Sequence, residues 1–208
     1  MVHFLITKHF GSDKTTISKG RHLRVICSAL LILLWGAGCS AGLGSGLRPE
    51  IERSPSSSFS DVKIAIGLLE DLRSPHTVGN FQGEDLEIEG EPLHYVRTAI
   101  DEAFAREGFE QAAFGAPVVT LKLNQWALDI KRETLFMDAN SSSGVEVQVF
   151  YPRDKMVYRG RFEGSSAYSA PVVSRERLEK LMGDSLLFAI QAFVQDPEFQ
   201  RVVRDLSS

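Results

Sequence analysis

One cysteine stands apart among the few residues of this chain that could carry covalent chemistry. Cys27 and Cys39 are the only cysteines in 208 residues; the first lies in an uncharged apolar run, residues 25–35, and the second follows that run. Three small residues separate the run from the second cysteine: Gly36, Ala37 and Gly38. Small side chains of this kind suit the groove of a processing protease. The pattern therefore predicts a cleavage flank directly before Cys39.

The apolar run has the length of a signal-peptide core rather than that of a membrane span. It covers about 11 residues, whereas a spanning helix needs roughly 20 and a signal-peptide core roughly 7–15. Three cations precede it, as expected for the flank that stays in the cytoplasm: Lys19, Arg21 and Arg24. We therefore expect residues 1–38 to be a signal peptide, in which Cys27 is discarded.

The residues around Cys39 resemble the lipobox of bacterial lipoproteins, although Gly36 stands where leucine is usual. The resemblance implies that the thiol of Cys39 takes a diacylglyceryl group, that the chain is cut before it, and that the new amine is acylated, with palmitate as the typical acyl group. Ser40, rather than the aspartate that retains enteric lipoproteins in the inner membrane, implies an outer-membrane address facing the periplasm. The alternative to the outer membrane is the inner membrane. The alternative to lipidation is that the Cys39 thiol is buried in an apolar helix.

The charge of the chain excludes some partners. Without residues 1–38 the sequence keeps 18 basic and 26 acidic residues, a net charge near −8. Nucleic-acid binding needs a basic stripe, and adhesion to anionic lipid by charge needs a basic cluster. We therefore expect no nucleic-acid partner and a membrane contact through the acyl chains.

No catalytic or metal-binding pattern occurs elsewhere in the sequence. The nucleophile elbow, the phosphate-binding loop, the dinucleotide fingerprint and the zinc-protease motif are all missing. His76 and His94 are the only histidines after Cys39, and no carboxylate is spaced to join them at a metal. Five carboxylates between Glu84 and Glu91 lack the spacing of a calcium loop. We expect no enzyme activity, no metal and no cofactor besides the lipid on Cys39.

The rest of the chain divides into a linker and one domain. Residues 39–60 are rich in Gly, Ser and Pro, which predicts a flexible tether after the lipidated cysteine. Residues 61–208 are long enough for one domain with one core. A long polar loop is predicted between the first strand and the first helix, and it includes the acidic residues 84–91.

Periodicity predicts a strand, a helix, three antiparallel strands and a long helix. The first strand begins near Asp61, and the first helix runs from Pro92 to a glycine cap at Gly108. The second strand changes the parity of its apolar residues near Asn124–Gln125, which predicts a bulge. Lys131–Ser143 is predicted to connect this strand to a hairpin formed by residues 144–151 and 156–169.

The predicted hairpin register places apolar residues on one face and charged residues on the other. It pairs Val145 with Phe162, Val147 with Gly160, Val149 with Tyr158 and Tyr151 with Met156. The opposite face then carries four polar residues: Glu146, Gln148, Arg159 and Arg161.

The final helix is predicted to begin after a Ser174 cap and to end at Asp196–Pro197, before a short terminal helix. Its apolar stripe includes Leu181 and Ile190 and continues over five turns. These elements predict an α+β fold in which one sheet carries the helices on one face. In the alternative interpretation the stripe is an exposed docking face.

The order of these elements resembles the YajG family of bacterial lipoproteins. The resemblance rests on Cys39, on the strand VKIAIGLLEDLR with Asp71 and Arg73 at its end, on a helix that closes in AREGF, and on VTLKLNQWALDI before the hairpin. It implies an envelope lipoprotein with no defined activity. Asp71 and Arg73 are the only positions carried over as a motif, and we expect them to pair with each other.

Two functional hypotheses remain open at this stage. In the first, the domain is an interaction module for an unknown envelope protein, with Trp126 and Tyr151 as possible partner anchors; core packing is the alternative for both aromatic residues. In the second, the domain binds or carries a lipid or glycolipid, as lipoproteins of lipopolysaccharide delivery do. The second hypothesis requires a pocket between the sheet and the helices.

Overall fold

The computed structural model describes residues 46–51, 62–74, 77–112, 115–152 and 154–207. The chain divides into two units, residues 1–42 and 43–208, and all described residues belong to the second. Within them the fold is mixed α/β, with three helices and two sheets. None of these helices is long and apolar enough to cross a membrane.

The larger sheet has five strands, with bounds β2 Lys63–Asp71, β5 Glu110–Gln111, β6 Val118–Arg132, β7 Met137–Phe150 and β8 Met156–Ala170. Their order in the sheet is β5-β2-β6-β7-β8. Strand β2 runs parallel to both of its neighbours, and β6, β7 and β8 form an antiparallel meander. Strands β6 and β7 pair over their whole length.

A second, three-stranded sheet replaces much of the predicted polar loop, so the prediction of a single sheet is wrong. Its order is β1-β4-β3, with bounds β1 Gly46–Leu47, β3 Gly79–Phe81 and β4 Glu84–Ile88. The turn between β3 and β4 has positive φ at both central residues, Gln82 and Gly83, as a tight hairpin turn requires. The sequence did not predict this hairpin, because β4 consists largely of charged residues and only its Leu86 is buried.

The predicted helix boundaries are confirmed. Helix α1 is Pro92–Glu107 and ends at Gly108, whose φ of 77° is left-handed. Helix α2 is Arg175–Val194, and the Ser174 hydroxyl accepts a hydrogen bond from the Arg177 backbone N–H at 3.3 Å. Helix α3 is Pro197–Ser207.

The β7–β8 register confirms three of the four predicted pairs. Val145 lies opposite Phe162, Val147 opposite Gly160 and Val149 opposite Tyr158. The fourth pair is wrong because the ladder shifts by one residue, so that Phe150 and not Tyr151 lies opposite Met156. The register between β6 and β7 also shifts by one residue after Leu123, which confirms the bulge predicted in the second strand.

The segment predicted to connect the second strand to the hairpin is itself strand. Strand β6 continues to Arg132 and β7 begins at Met137, so residues 133–136 form a tight turn. The Glu133 N–H donates to the Phe136 carbonyl at 2.8 Å. Asn and Ser resemble turn residues in sequence, yet Ser141 and Ser143 are buried on β7 because they hydrogen-bond to α2.

The core lies between the large sheet and the helices. Leu181 and Ile190 of α2 are buried, as the core interpretation of its stripe requires. Aromatic rings from α1, α2 and α3 pack together at the centre, with the Phe193 and Phe199 centroids 4.3 Å apart. The apolar stripe is therefore a packing surface and not an exposed docking face.

Residues 46–51 pack against the domain, although the sequence predicts linker there. Leu47 is fully buried, and its strand pairs in parallel with β4. The Glu50 N–H donates to the Glu179 carbonyl on α2 at 3.1 Å. Gly183 makes this approach possible, since a Cβ at that position would lie 1.6 Å from the Glu50 oxygen. A Gly- and Pro-rich composition concealed a strand of two residues.

Candidate functional site

The predicted lipidation site lies outside the described residues, as do its cleavage flank and His76. Cys39, Gly36, Ala37 and Gly38 all precede Gly46, the first described residue. Lipidation of Cys39 therefore stays a prediction. The first described residue, Gly46, begins β1.

Asp71 and Arg73 pair with each other, as the transferred motif predicts. The Arg73 Nε donates to Asp71 Oδ1 at 2.8 Å and its Nη2 to Oδ2 at 2.7 Å. The Arg73 backbone N–H also donates to Asp71 Oδ1, at 3.2 Å. The guanidinium is buried 5.8 Å from the ring centroid of Trp126. Among the described residues no group accepts a hydrogen bond from Arg73 Nη1. The pair fastens the end of β2 to the core.

Trp126 is not available as a partner anchor. Its side chain is buried, its Nε1 donates to the Met182 carbonyl of α2 at 3.1 Å, and its ring meets Tyr95 edge-on. The alternative of core packing is the correct one for this residue. Tyr151 is half-buried in the β7–β8 turn, where its N–H donates to the Lys155 carbonyl.

A line of charged side chains crosses the face of the large sheet that is turned away from α2. Lys122 on β6 pairs with Glu70 on β2 at 3.3 Å. On β7, Glu146 accepts hydrogen bonds from Gln148, Arg159 and Arg161. These contacts hold the pKa of Glu146 below its usual value; Gln148 contributes most, and the two guanidiniums add to its effect. The predicted sharing of one face by these four residues is confirmed.

Charged side chains of both signs lie beside β8, because Arg159 and Arg161 contact Glu146 and share their face of β8 with exposed Glu163. The side chains of Arg159 and Arg161 are 52% and 76% exposed, so both remain accessible to a partner. Further along β8 the same face carries small residues, and it forms a shallow groove with Ser142 and Asn140 of β7. The groove ends at Ser165 and Ala167.

Strand β8 is the outermost strand of the large sheet. In the part of the chain that the structure describes, it pairs with β7 only, while α2 packs on its inner face. Its 15 residues form a long edge with unpaired backbone groups. Such an edge can take an additional strand.

The sequence did not reveal a buried polar cluster that joins α2 to the sheet. The Ser141 and Ser185 hydroxyls lie 2.8 Å apart, and Ser143 donates to the Ser185 carbonyl at 2.7 Å. The three consecutive serines from Ser141 to Ser143 are typical of a turn and gave no signal of a buried cluster. No group of three or more possible metal ligands occurs among the described residues, and His94 lies beside Tyr95 on α1.

Comparisons with known proteins place this arrangement among envelope proteins. A family model with the description "uncharacterized lipoprotein" matches residues 49–204. The match begins within the packed segment 46–51, before the predicted domain boundary. No curated protein matches the sequence.

One solved structure shares the fold at low sequence identity, and a second is similar to a lesser degree. A protein from Xanthomonas campestris, XCC0632, is 10% identical with a TM-score of 0.53, over 78% of this chain and 97% of its own. A minor lipoprotein from Acinetobacter baumannii is also 10% identical, with a TM-score of 0.38 over 71% of this chain and 91% of its own. These similarities concern the fold alone.

Proposed function

Because the chain belongs to this family of uncharacterized lipoproteins, which includes YajG, we propose that it is an envelope lipoprotein anchored through a lipid on Cys39. Its domain then serves as a protein-interaction module on the periplasmic side of the outer membrane. The family description names no activity, and the interaction role rests on the surface of the domain.

The long open edge of β8 is the observation that carries this proposal. A strand of a partner protein added there would gain backbone hydrogen bonds along 15 residues. The exposed guanidiniums of Arg159 and Arg161 stand next to that edge, with one carboxylate between them. A strand of an envelope protein that places a carboxylate opposite the two arginines and a cation opposite exposed Glu163 is therefore the partner that suits this surface best.

No observation among the described residues favours a lipid or glycolipid carrier. Such a carrier needs an apolar cavity, and the space between the sheet and the helices is filled by large side chains that are almost completely buried, among them Phe104, Phe193, Phe199 and Leu186. The groove on the outer face is lined by serine, alanine and asparagine residues together with Leu128 and Asp129. Leu128 is the only large apolar residue in this lining, which is too little for an acyl chain.

Attachment through Cys39 is tested by metabolic labelling with a fatty acid in cells. Wild-type protein is expected to take up label and to fractionate with the outer membrane. Cys39→Ser should lose the label and leave the membrane fraction, or accumulate with its signal peptide. Cys27→Ser is the matched control and should behave as wild type. Wild-type protein without label would contradict the anchor.

The β8 edge is tested by photo-crosslinking in cells. A crosslinker at Ser165, which is exposed on β8, should yield an adduct of one defined mass, and so should a crosslinker at Ala167. Exposed Arg201 on α3 is the control position and should yield no such adduct. Adducts at Arg201 but not at the two β8 positions would assign the partner to another surface.

A further inference from the structure

Exposed apolar side chains cluster at the end of the large sheet where β6 turns into β7. Leu135 and Phe136, in the turn of residues 133–136, are 75% and 48% exposed. Val172, in the loop after β8, is 77% exposed. The pairing of Met137 with Ala170 brings the two loops to the same end of the sheet. We call these three residues the apolar tip.

The chain enters the domain at this same end. Helix α2 begins there, five residues after β8, and its first residue, Arg175, pairs with Glu89 at 3.3 Å. Glu89 also pairs with Arg48, and its N–H donates to the carbonyl of Leu47, the residue after Gly46, at 2.6 Å. Glu50 and Val172 line one shallow cavity. The strand end that leads back to Cys39 therefore lies near the apolar tip.

The distance between the proposed anchor and the domain is short. Six residues lie between Cys39 and Gly46, and the seven steps from Cys39 to Gly46 reach at most about 25 Å in any conformation. Strand β7 begins at the apolar tip and has 14 residues, so it is roughly 45 Å long. Its other end, near Met156, lies about that far from the apolar tip. A lipid on Cys39 would therefore hold the apolar tip, and not the opposite end, close to the bilayer surface.

We propose that the apolar tip inserts into the interfacial layer of the membrane that holds the lipid anchor, an inference that rests on the proposed lipidation of Cys39. Leu135, Phe136 and Val172 leave water for the boundary between head groups and acyl chains, which is favourable for apolar side chains. Lys131 and Arg132 are exposed just behind the turn. Lys131 pairs with Asp129 at 2.7 Å, and the long side chain of Arg132 can reach lipid phosphates. The lipid on Cys39 keeps the apolar tip at a high local concentration near the membrane, so even a weak contact between the apolar tip and the membrane is formed much of the time.

The size of the apolar tip favours a membrane over a protein partner. Three side chains that each bury at most on the order of 200 Å² fall short of the roughly 800 Å² that each partner buries in a stable protein interface. Insertion into a bilayer needs no complementary surface. The contact fixes the orientation of the domain and turns the Met156 end toward the periplasm.

The inference is tested with single cysteines in the lipidated full chain, reconstituted in phosphatidylethanolamine–phosphatidylglycerol vesicles. Leu135→Cys carries a polarity-sensitive fluorophore, and Met156→Cys, half exposed at the opposite hairpin turn, is the matched control. The only other cysteine of the processed chain, Cys39, is blocked by its lipid. The label at position 135 should emit at shorter wavelength and be quenched by brominated lipid, whereas the label at 156 should be quenched by iodide from the aqueous phase.

Equal access of iodide to both labels, in protein that floats with the vesicles, would overturn the insertion and leave the lipid anchor intact. Protein that does not float and carries no fatty acid would instead refute the anchor. Protection of position 135 that persists in detergent together with a dimeric mass would assign the apolar tip to a second copy and would also overturn the proposal. Leu135→Ser with Phe136→Ser should still float, because the acyl chains remain.

Discussion

At the scale of single residues, the charged groups with defined geometry serve the sheet rather than a reaction. Asp71 and Arg73 form a bidentate pair at the end of β2. Glu146 links β7 to β8 through Arg159 and Arg161. The contacts of Glu146, whose pKa they hold below its usual value, make the stability of the domain depend on pH.

Glu146→Gln is expected to lower the free energy of unfolding at pH 7 by about 0.5–1 kcal/mol, because both guanidiniums are more than half exposed and solvent screens them. The pKa of Glu146 is lower in the folded state than in the unfolded chain. Its contribution is therefore complete above the unfolded value, near 4.3, and is lost as the pH falls through the folded value. Urea unfolding at pH 7 and pH 3 should show the difference between wild type and variant shrink. Glu163→Gln, on the exposed face of β8, is the control; an unchanged difference would refute the role of Glu146.

Asp196 joins two elements through one carboxylate oxygen. Its Oδ2 accepts hydrogen bonds from the Tyr158 hydroxyl and from the Phe199 N–H, both at 2.9 Å. Burial raises the pKa of Tyr158, and the bond with Asp196 raises it further, so this hydroxyl stays protonated. Asp196→Ala should cost about 2 kcal/mol, since it removes a helix cap and leaves a buried donor unpaired. Tyr158→Phe keeps the cap and should cost less; thermal melts that rank the two variants in the opposite order would contradict this assignment.

At the scale of elements, α2 determines whether the large sheet has a core. Small residues allow the helix to approach closely: a Cβ at Gly164 on β8 would lie 2.0 Å from the Ser185 carbonyl oxygen. The serine cluster and Trp126 then bond the middle of α2 to the sheet. The helix and the meander therefore form one packed unit.

Ile190→Ala and Leu181→Ala should each lower the free energy of unfolding by about 2–5 kcal/mol, because both side chains are buried in this unit. Against a total stability of roughly 5–15 kcal/mol, the double variant should be largely unfolded. Phe188→Ala is the matched control, since Phe188 lies on the same helix but is half exposed. Melting curves in which Phe188→Ala costs as much as the two buried variants would refute the packing described for α2.

At the scale of the whole molecule, part of the segment predicted to be a flexible linker packs as part of the domain. Residues 46–51 add a strand to the small sheet and lie on α2. The domain therefore stands closer to its lipid than a linker through residue 60 would allow.

A chain that begins at residue 61 should melt at lower temperature than one that begins at residue 43, because it lacks Leu47. Leu47→Ala in the longer chain should reproduce much of the loss, about 2–5 kcal/mol. Gly183→Ala provides a sharper test. Its new methyl group would collide with Glu50 in the longer chain, whereas in the shorter chain it should stabilise α2 by up to about 1 kcal/mol. The same sign for Gly183→Ala in both chains would refute the packing of residues 46–51.

The sequence alone determined several features that depend on local periodicity or on local chemistry. The Gly108 and Ser174 caps, the bulge after Leu123 and the three β7–β8 pairs around Val147 follow from which neighbouring residues are apolar or can hydrogen-bond. The family resemblance depended on the same patterns. Such features depend on residues that are close together in sequence, so they can be predicted without knowledge of distant residues.

Only the tertiary structure decided which surfaces are buried and which remain open. Leu47 is buried because β4 and α2 cover it, and Trp126 is not an anchor because Met182, 56 positions away, accepts its hydrogen bond. The serines of β7 turn inward because Ser185 meets them, and β8 remains an edge because the described chain offers no further strand. Contacts between residues so far apart in sequence leave no local pattern, because each partner alone satisfies the rules for a loop, a core or a surface residue equally well.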